Sequence, residues 1–216
     1  MKNQAKKEKL STLDYFTVKF RDWAVPKIPK SIETHHLTLL TIPWSLLIII
    51  CGYLAKYSLN WFWLSSIFII FQWVTDVLDG QLGRVRKTGL IKWGFFMDHF
   101  LDYFFLCAIL ISYVFTIPQE LWIYSLFTLA IFGAFMVNSF LYFGATYKFK
   151  ISYHGIGPTE IRLCFIVLNT FVIFFQPTNL VKLFPLVLII STLVLIYVVY
   201  KDQKEIWSLD KPKFKG

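Results

Sequence analysis

The sequence predicts an all-α polytopic membrane protein, with six transmembrane helices preceded by an amphipathic helix in the membrane interface. Three observations carry this. Hydrophobic residues make up 56% of the 216-residue chain and charged residues only 16%, more apolar sequence than a soluble domain of this length can bury. The apolar residues gather into six runs close to the length that crosses a hydrocarbon core as a helix. Of the 22 Lys and Arg residues, only Lys56 and Lys182 fall on one side of those runs. The positive-inside rule then puts both termini in the cytoplasm. The net charge of +9 is spread around a membrane rim, where it attracts anionic headgroups, and does not form a nucleic-acid surface.

Taken in order, residues 1–9 are polar and basic and read as a tail. From there Leu10, Leu13, Phe16, Phe20 and Trp23 recur at helical spacing, with Lys19, Arg21 and Asp22 between them. That is the pattern of an interfacial helix, and Pro26 and Pro29 end it. The lysine-rich start lacks the apolar core and cleavage site of a signal peptide, so the whole chain is expected to be retained. Spans are expected at 36–56, 60–82, 91–115, 120–147, 158–176 and 180–200. Val85–Lys92 is a short basic turn between antiparallel helices, and Pro118 marks the third turn. Residues 148–157 form the longest internal loop, and Gln176-Pro177-Thr178-Asn179 makes the last external turn. The chain thus divides into a cytoplasmic tail with interfacial helix (1–35), a membrane domain (36–200) and a cytoplasmic tail (201–216), expected in a bacterial inner membrane. Cys51, Cys107 and Cys164 lie singly in apolar runs, have no zinc or disulfide spacing, and read as packing residues.

Four aspartates interrupt this apolar background, as Asp76-x-x-Asp79-Gly80 and Gly94-x-x-x-Asp98-x-x-x-Asp102. A carboxylate at membrane depth costs a few kcal/mol or more and belongs in a bundle interior or a wet cavity. At 100° per residue, Asp76, Asp79, Gly80, Gly83 and Arg84 span an arc of roughly 140° on one helix, and Gly94, Asp98 and Asp102 one of roughly 80° on the next. Both arcs can face one cavity, with Asp76 and Asp98 at similar depth. Four facing carboxylates repel unless cations lie between them, and hard divalent ions take oxygen ligands. Gly80, Gly83 and Gly94 leave room for a ligand or for close helix approach. Arg84 offers a planar fork to phosphate, and Thr88 offers a hydroxyl. Metals, a phosphate-sized opening and an arginine point to phosphoryl-group chemistry.

This arrangement resembles the CDP-alcohol phosphotransferase (CDP-alcohol phosphatidyltransferase) family, whose motif reads Asp-x-x-Asp-Gly-x-x-Ala-Arg, eight or nine residues, then Gly-x-x-x-Asp-x-x-x-Asp. Asp76, Asp79, Gly80, Arg84, Gly94, Asp98 and Asp102 are in register, with Gly83 where the family usually has Ala. The resemblance implies a six-helix bundle, usually a homodimer, with its site open to the cytoplasm. Members cleave a CDP-linked donor, release CMP and join the remaining phosphoryl group to an alcohol. By position, Asp76, Asp79, Asp98 and Asp102 would bind two Mg²⁺ or Mn²⁺ ions, and Asp102 would also take the proton from the attacking hydroxyl. Gly80 and Arg84, with Gly83, Thr88 and Gly94 beside them, would hold the donor. A CDP-diacylglycerol donor with a small polar acceptor is the first expectation. A CDP-choline or CDP-ethanolamine donor with diacylglycerol as acceptor is the second.

Weaker signals stay open between two readings. Glu160 and Arg162 follow Gly157-Pro158 at the start of the fifth span. They suit a helix entrance, with an acid near the dipole and an arginine snorkelling to lipid, or an acceptor pocket beside the metals. Gly157-Pro158-Thr159-Glu160 with Asp98-His99 also resembles the choline and ethanolamine branch. His35 and His36 read as an interfacial pair or a nucleotide contact, and His99 as packing. An intramembrane prenyltransferase would separate its aspartate motifs widely over a longer bundle. A cation transporter would show repeat symmetry or broken helices, and neither pattern is visible.

Overall fold

The computed structural model describes residues 13–150, 157–175 and 181–210, and every regular element among them is helical. The expected basic tail with Leu10, the turn at 176–179, the middle of the 148–157 loop and the last six residues lie outside the described residues. Six helical segments are long and apolar enough to cross a membrane: Thr34–Leu54, Trp61–Arg86, Ile91–Val114, Gln119–Thr146, Pro158–Phe175 and Phe184–Asp210.

Helix α1 (Asp14–Ala24) and a 3-10 turn (Val25–Lys27) form an N-terminal arm. Tyr15, Phe16 and Trp23 on α1 are exposed, while Phe20 stacks on Trp73 at 5.3 Å. The first span is two pieces, α2 (Thr34–Leu39) and α3 (Thr41–Leu54). The break falls where Pro43 lacks the N–H that the Leu39 carbonyl would otherwise accept. The second span, α4 (Trp61–Arg86), runs four residues beyond the expected end and closes on Lys87. That residue adopts a left-handed conformation (φ 53°) and donates its N–H to Gly83 O. After the turn come α5 (Ile91–Val114), α6 (Trp122–Thr146), α7 (Pro158–Phe175) and α8 (Phe184–Asp210).

The two motif helices, α4 and α5, pack on one another only slightly, whereas α3 packs along both. Gly52 makes the α3–α5 approach possible. A Cβ there would lie 2.4 Å from Ser112 Cα and 2.4 Å from Ser112 O. α7 packs on the far side of α4, and α8 packs on α6. The core lies beyond the aspartates, toward the start of α4 and the end of α5, and includes Ile48, Phe62, Ile69, Phe105, Ile109, Tyr113, Phe165 and Val172. A polar chain crosses it. Tyr113 OH donates to Asn169 Oδ1 at 2.6 Å, and Asn169 Nδ2 donates to Ser66 Oγ at 2.9 Å. Buried polar groups at membrane depth need such partners.

Two polar clamps hold the ends of the bundle. Arg86 donates to the carbonyls of Ile28 and Pro29 at 2.9 Å each, and to Ile32 O, pinning the N-terminal arm over Leu78 and Leu82. Lys150 Nζ meets Asp202 Oδ1 at 3.0 Å and Glu205 Oε2 at 2.7 Å, while Tyr142 OH donates to Glu205 Oε1 at 2.6 Å. Burial opposes the Lys150 charge, but its contacts with Glu205, Tyr142 and Asp202 outweigh that and hold its ammonium above the usual lysine range. Residues 201–210 thus prolong the last helix, and Asp202 and Glu205 on it meet Lys150.

Candidate active site

The site forms where α4, α5 and α7 approach one another. Asp76 from α4 and Asp98 and Asp102 from α5 each offer an oxygen within 4.8 Å of the others. At such a separation two carboxylates repel by about 3 kcal/mol at an effective dielectric near 20. A cluster of hard oxygen donors could therefore bind a metal ion, and its chemistry suits a divalent ion of the Mg²⁺ or Mn²⁺ type. Asp79 is not among the three whose oxygens converge, yet it lies near enough to Asp98 and Asp76 for their charges to act on it. It is 6% exposed, and the Thr38 hydroxyl donates to its Oδ2 at 2.6 Å. Helical spacing puts all four acids on facing arcs; three of them offer oxygens within 4.8 Å of one another, and the fourth also accepts from the Thr38 hydroxyl.

Among the described residues, the arginine paired with these acids is Arg162. Its side chain is 6% exposed, and Nη2 lies 3.1 Å from Asp76 Oδ2 and 3.0 Å from Asp102 Oδ1. Its Nε donates to Gln72 Oε1 at 2.7 Å. Arg162 thus faces the acids and does not snorkel outward. Glu160, one half-turn earlier, accepts the Leu13 N–H at 2.9 Å and the Gly157 N–H at 2.8 Å. Its carboxylate ties the start of α1 to the start of α7.

The glycines divide into two kinds. Cβ atoms at Gly80 and Gly94 would meet nothing within 4 Å, so both leave open space beside the acids. A Cβ at Gly83 would lie 3.0 Å from Thr34 Oγ1 and 3.4 Å from Thr88 Oγ1. A methyl group at Gly83 would make the Thr34 and Thr88 side chains give by a few tenths of an ångström. Arg84 is exposed at the C-terminal end of α4, with Nη1 3.5 Å from Gln81 Oε1. His36 Nδ1 accepts the Glu33 N–H at 3.0 Å in a capping box at the start of α2. His99 packs on Phe95 and Phe149, with ring centroids 4.4 and 4.7 Å away.

A cavity of about 550 Å³ extends from Asp76, Asp98, Asp102 and Arg162 along α5 as far as Leu106. Its walls are Phe105 and Leu106 of α5, Phe132, Phe135, Met136 and Phe140 of α6, Ile161 and Phe165 of α7, and Ile190 and Val194 of α8. From Asp98 to Leu106 the helix descends about 12 Å. A charged head and an apolar body of this size suit an amphiphile.

Sequence reasoning missed Thr38, Gln72 and this chamber. Gln72 had a signal, being a polar residue in an apolar run four positions before Asp76 and so on the same face. Thr38 had none, because its partner is 41 residues away. The family model described as CDP-alcohol phosphatidyltransferase matches residues 34–203. No curated protein and no solved structure matches the chain.

Proposed function

The chain belongs to the CDP-alcohol phosphatidyltransferase family, a family of transferases for substituted phosphate groups, and from that premise we propose that it transfers a phosphatidyl group from CDP-diacylglycerol to an alcohol in phospholipid synthesis. The observation that carries this reading is the meeting of three carboxylates at the head of an apolar chamber. The donor's diphosphate lies against Asp76, Asp79, Asp98 and Asp102. Its nucleotide lies toward Gly80, Gly83, Arg84, Thr88 and Gly94, and its acyl chains fill the chamber. Two Mg²⁺ or Mn²⁺ ions, held by the four aspartates, would neutralise the diphosphate and the charge developing on departing CMP.

Asp102 takes the proton as the acceptor hydroxyl attacks the lipid-bearing phosphorus. The new P–O bond forms while the bond to the CMP phosphate breaks, and CMP leaves with the electron pair. Arg162 stands beside Asp102, where it can also meet the acceptor. Glu160 holds the α7 entrance next to it. The enzyme works as a homodimer in the membrane, with both termini cytoplasmic. The support for this is the family resemblance and the distribution of Lys and Arg.

A second reading has a specific observation behind it. Among the described residues lining the chamber, Arg162 is the sole Lys or Arg, and its guanidinium is engaged by Asp76, Asp102 and Gln72. A phosphorylated acceptor finds no uncommitted cation there, whereas a lipid alcohol fits the walls. In that case the donor is CDP-choline or CDP-ethanolamine and diacylglycerol is the acceptor. The two readings separate on one measurement: CMP release by the purified protein with Mg²⁺ or Mn²⁺. Each donor is offered with a panel of labelled acceptors, and products are resolved by lipid chromatography. CMP from CDP-diacylglycerol supports the first and CMP from a CDP-amino alcohol the second. No CMP from either donor, with ion flux in proteoliposomes instead, would overturn both.

A further inference from the structure

The carboxylate cluster contains its own cation, and a second residue holds that cation in place. Arg162 takes one oxygen from Asp76 and one from Asp102, at 3.1 and 3.0 Å. A guanidinium cannot lose its proton at any relevant pH, so it is a permanent charge at this point. Gln72, fully buried one helical turn external to Asp76, accepts its Nε at 2.7 Å. The Phe105 ring lies 5.7 Å away and forms part of the same wall. The carboxylates Arg162 engages belong to the set whose oxygens converge for a metal ion. Two cations drawn to the same pair of carboxylates repel one another.

We propose that Gln72 is a positioning residue that holds Arg162 across Asp76 and Asp102 as an internal counter-cation, so that the arginine opposes divalent-ion binding and sets the ion concentration at which the site fills. Without metal the guanidinium relieves the repulsion among the acids. With metal it must yield part of its contact, which lowers affinity. The inference rests on the metal-dependent reading of this site but concerns residues outside the family motif.

The test is Mn²⁺ binding to the purified protein without nucleotide, followed by the electron paramagnetic resonance signal of free Mn²⁺. Arg162→Gln is expected to bind about tenfold tighter than the parent, because a repelling charge is gone. Gln72→Leu keeps the charge but frees it to move, and is expected to bind about threefold tighter. The double variant should bind no tighter than Arg162→Gln alone, since Gln72 acts through Arg162. A merely structural role would weaken binding in both single variants. Unchanged or weaker binding in a monodisperse Arg162→Gln protein overturns the proposal, as does an additive double variant. Should Arg162→Gln fail to fold, Arg162→Met removes the same charge; a gain in affinity supports the proposal and no gain overturns it. A parent protein that binds no Mn²⁺ overturns the metal reading and this inference together, whereas binding without any gain in the variants overturns the inference alone.

Discussion

Replacing Gly52 with alanine would drive a methyl carbon into the backbone of α5. The added atom would lie 2.4 Å from both Ser112 Cα and Ser112 O, and 2.5 Å from Ser112 Cβ. Ordinary carbon contacts need about 3.5–4.0 Å, so α3 and α5 must separate by roughly 1 Å. Rotamer changes cannot relieve this, because the obstructing atoms are backbone. Overpacking of this kind costs about 1–3 kcal/mol, on the order of a 5 °C fall in melting temperature for a chain this size. The functional effect should be larger than the structural one. Ser112 lies ten residues along α5 from Asp102, and a misplacement of about 1 Å at a reacting group can cost about 100-fold in rate. Gly80→Ala is the control, because its methyl group would meet nothing within 4 Å. It should not lower the melting temperature, since alanine is the better helix former, and it should weaken the donor interaction. Both variants would be followed in detergent by thermal unfolding and by CMP release. A Gly52→Ala protein with the parent's melting temperature and turnover would refute the reasoning that this crossing positions the aspartates.

Three further outcomes are expected. Asp102→Asn should abolish CMP release while Mn²⁺ still binds, and undiminished turnover would remove Asp102 as the base. Arg84→Ala should raise the apparent donor KM by about tenfold or more, as loss of a charge-assisted phosphate contact would; an unchanged KM would exclude a donor contact. Lys150→Met removes the cation between Asp202, which is 3% exposed, and Glu205. It should cost roughly 3 kcal/mol of stability, read as a lower melting temperature. Because the Lys150 pKa is raised in the folded state, its contribution is fully present below the unfolded lysine pKa of about 10.4. It is lost only as pH rises through the higher folded value. The stability difference between parent and Lys150→Met should therefore stay flat from pH 6 to 9, and a difference that fades within that window would count against the assignment.

Much of this protein is determined by local order along the chain. The six spans follow from apolar run length, and the acids fall on shared helix faces because 3.6 residues make a turn. The family motif is legible for the same reason, since its spacing is a helical register. Element ends were less legible. Gly83 does not end α4, which closes with the Lys87 N–H, and α8 passes residue 200, carrying Asp202 and Glu205 to Lys150, which is remote in sequence.

What only the tertiary structure decided is how remote side chains share charge. Asp79 turns to Thr38, 41 residues away, and Arg162 reaches Gln72, 90 residues away, and Asp102, 60 residues away. The greasy chamber is assembled from four helices that no periodicity relates. Helical repetition is a property of neighbours along the backbone, whereas the partner of a buried charge is chosen by which helices pack face to face. The chain's own pattern therefore named the acids, and the packing of α3, α4, α5 and α7 determined which of them meet and which cation holds them.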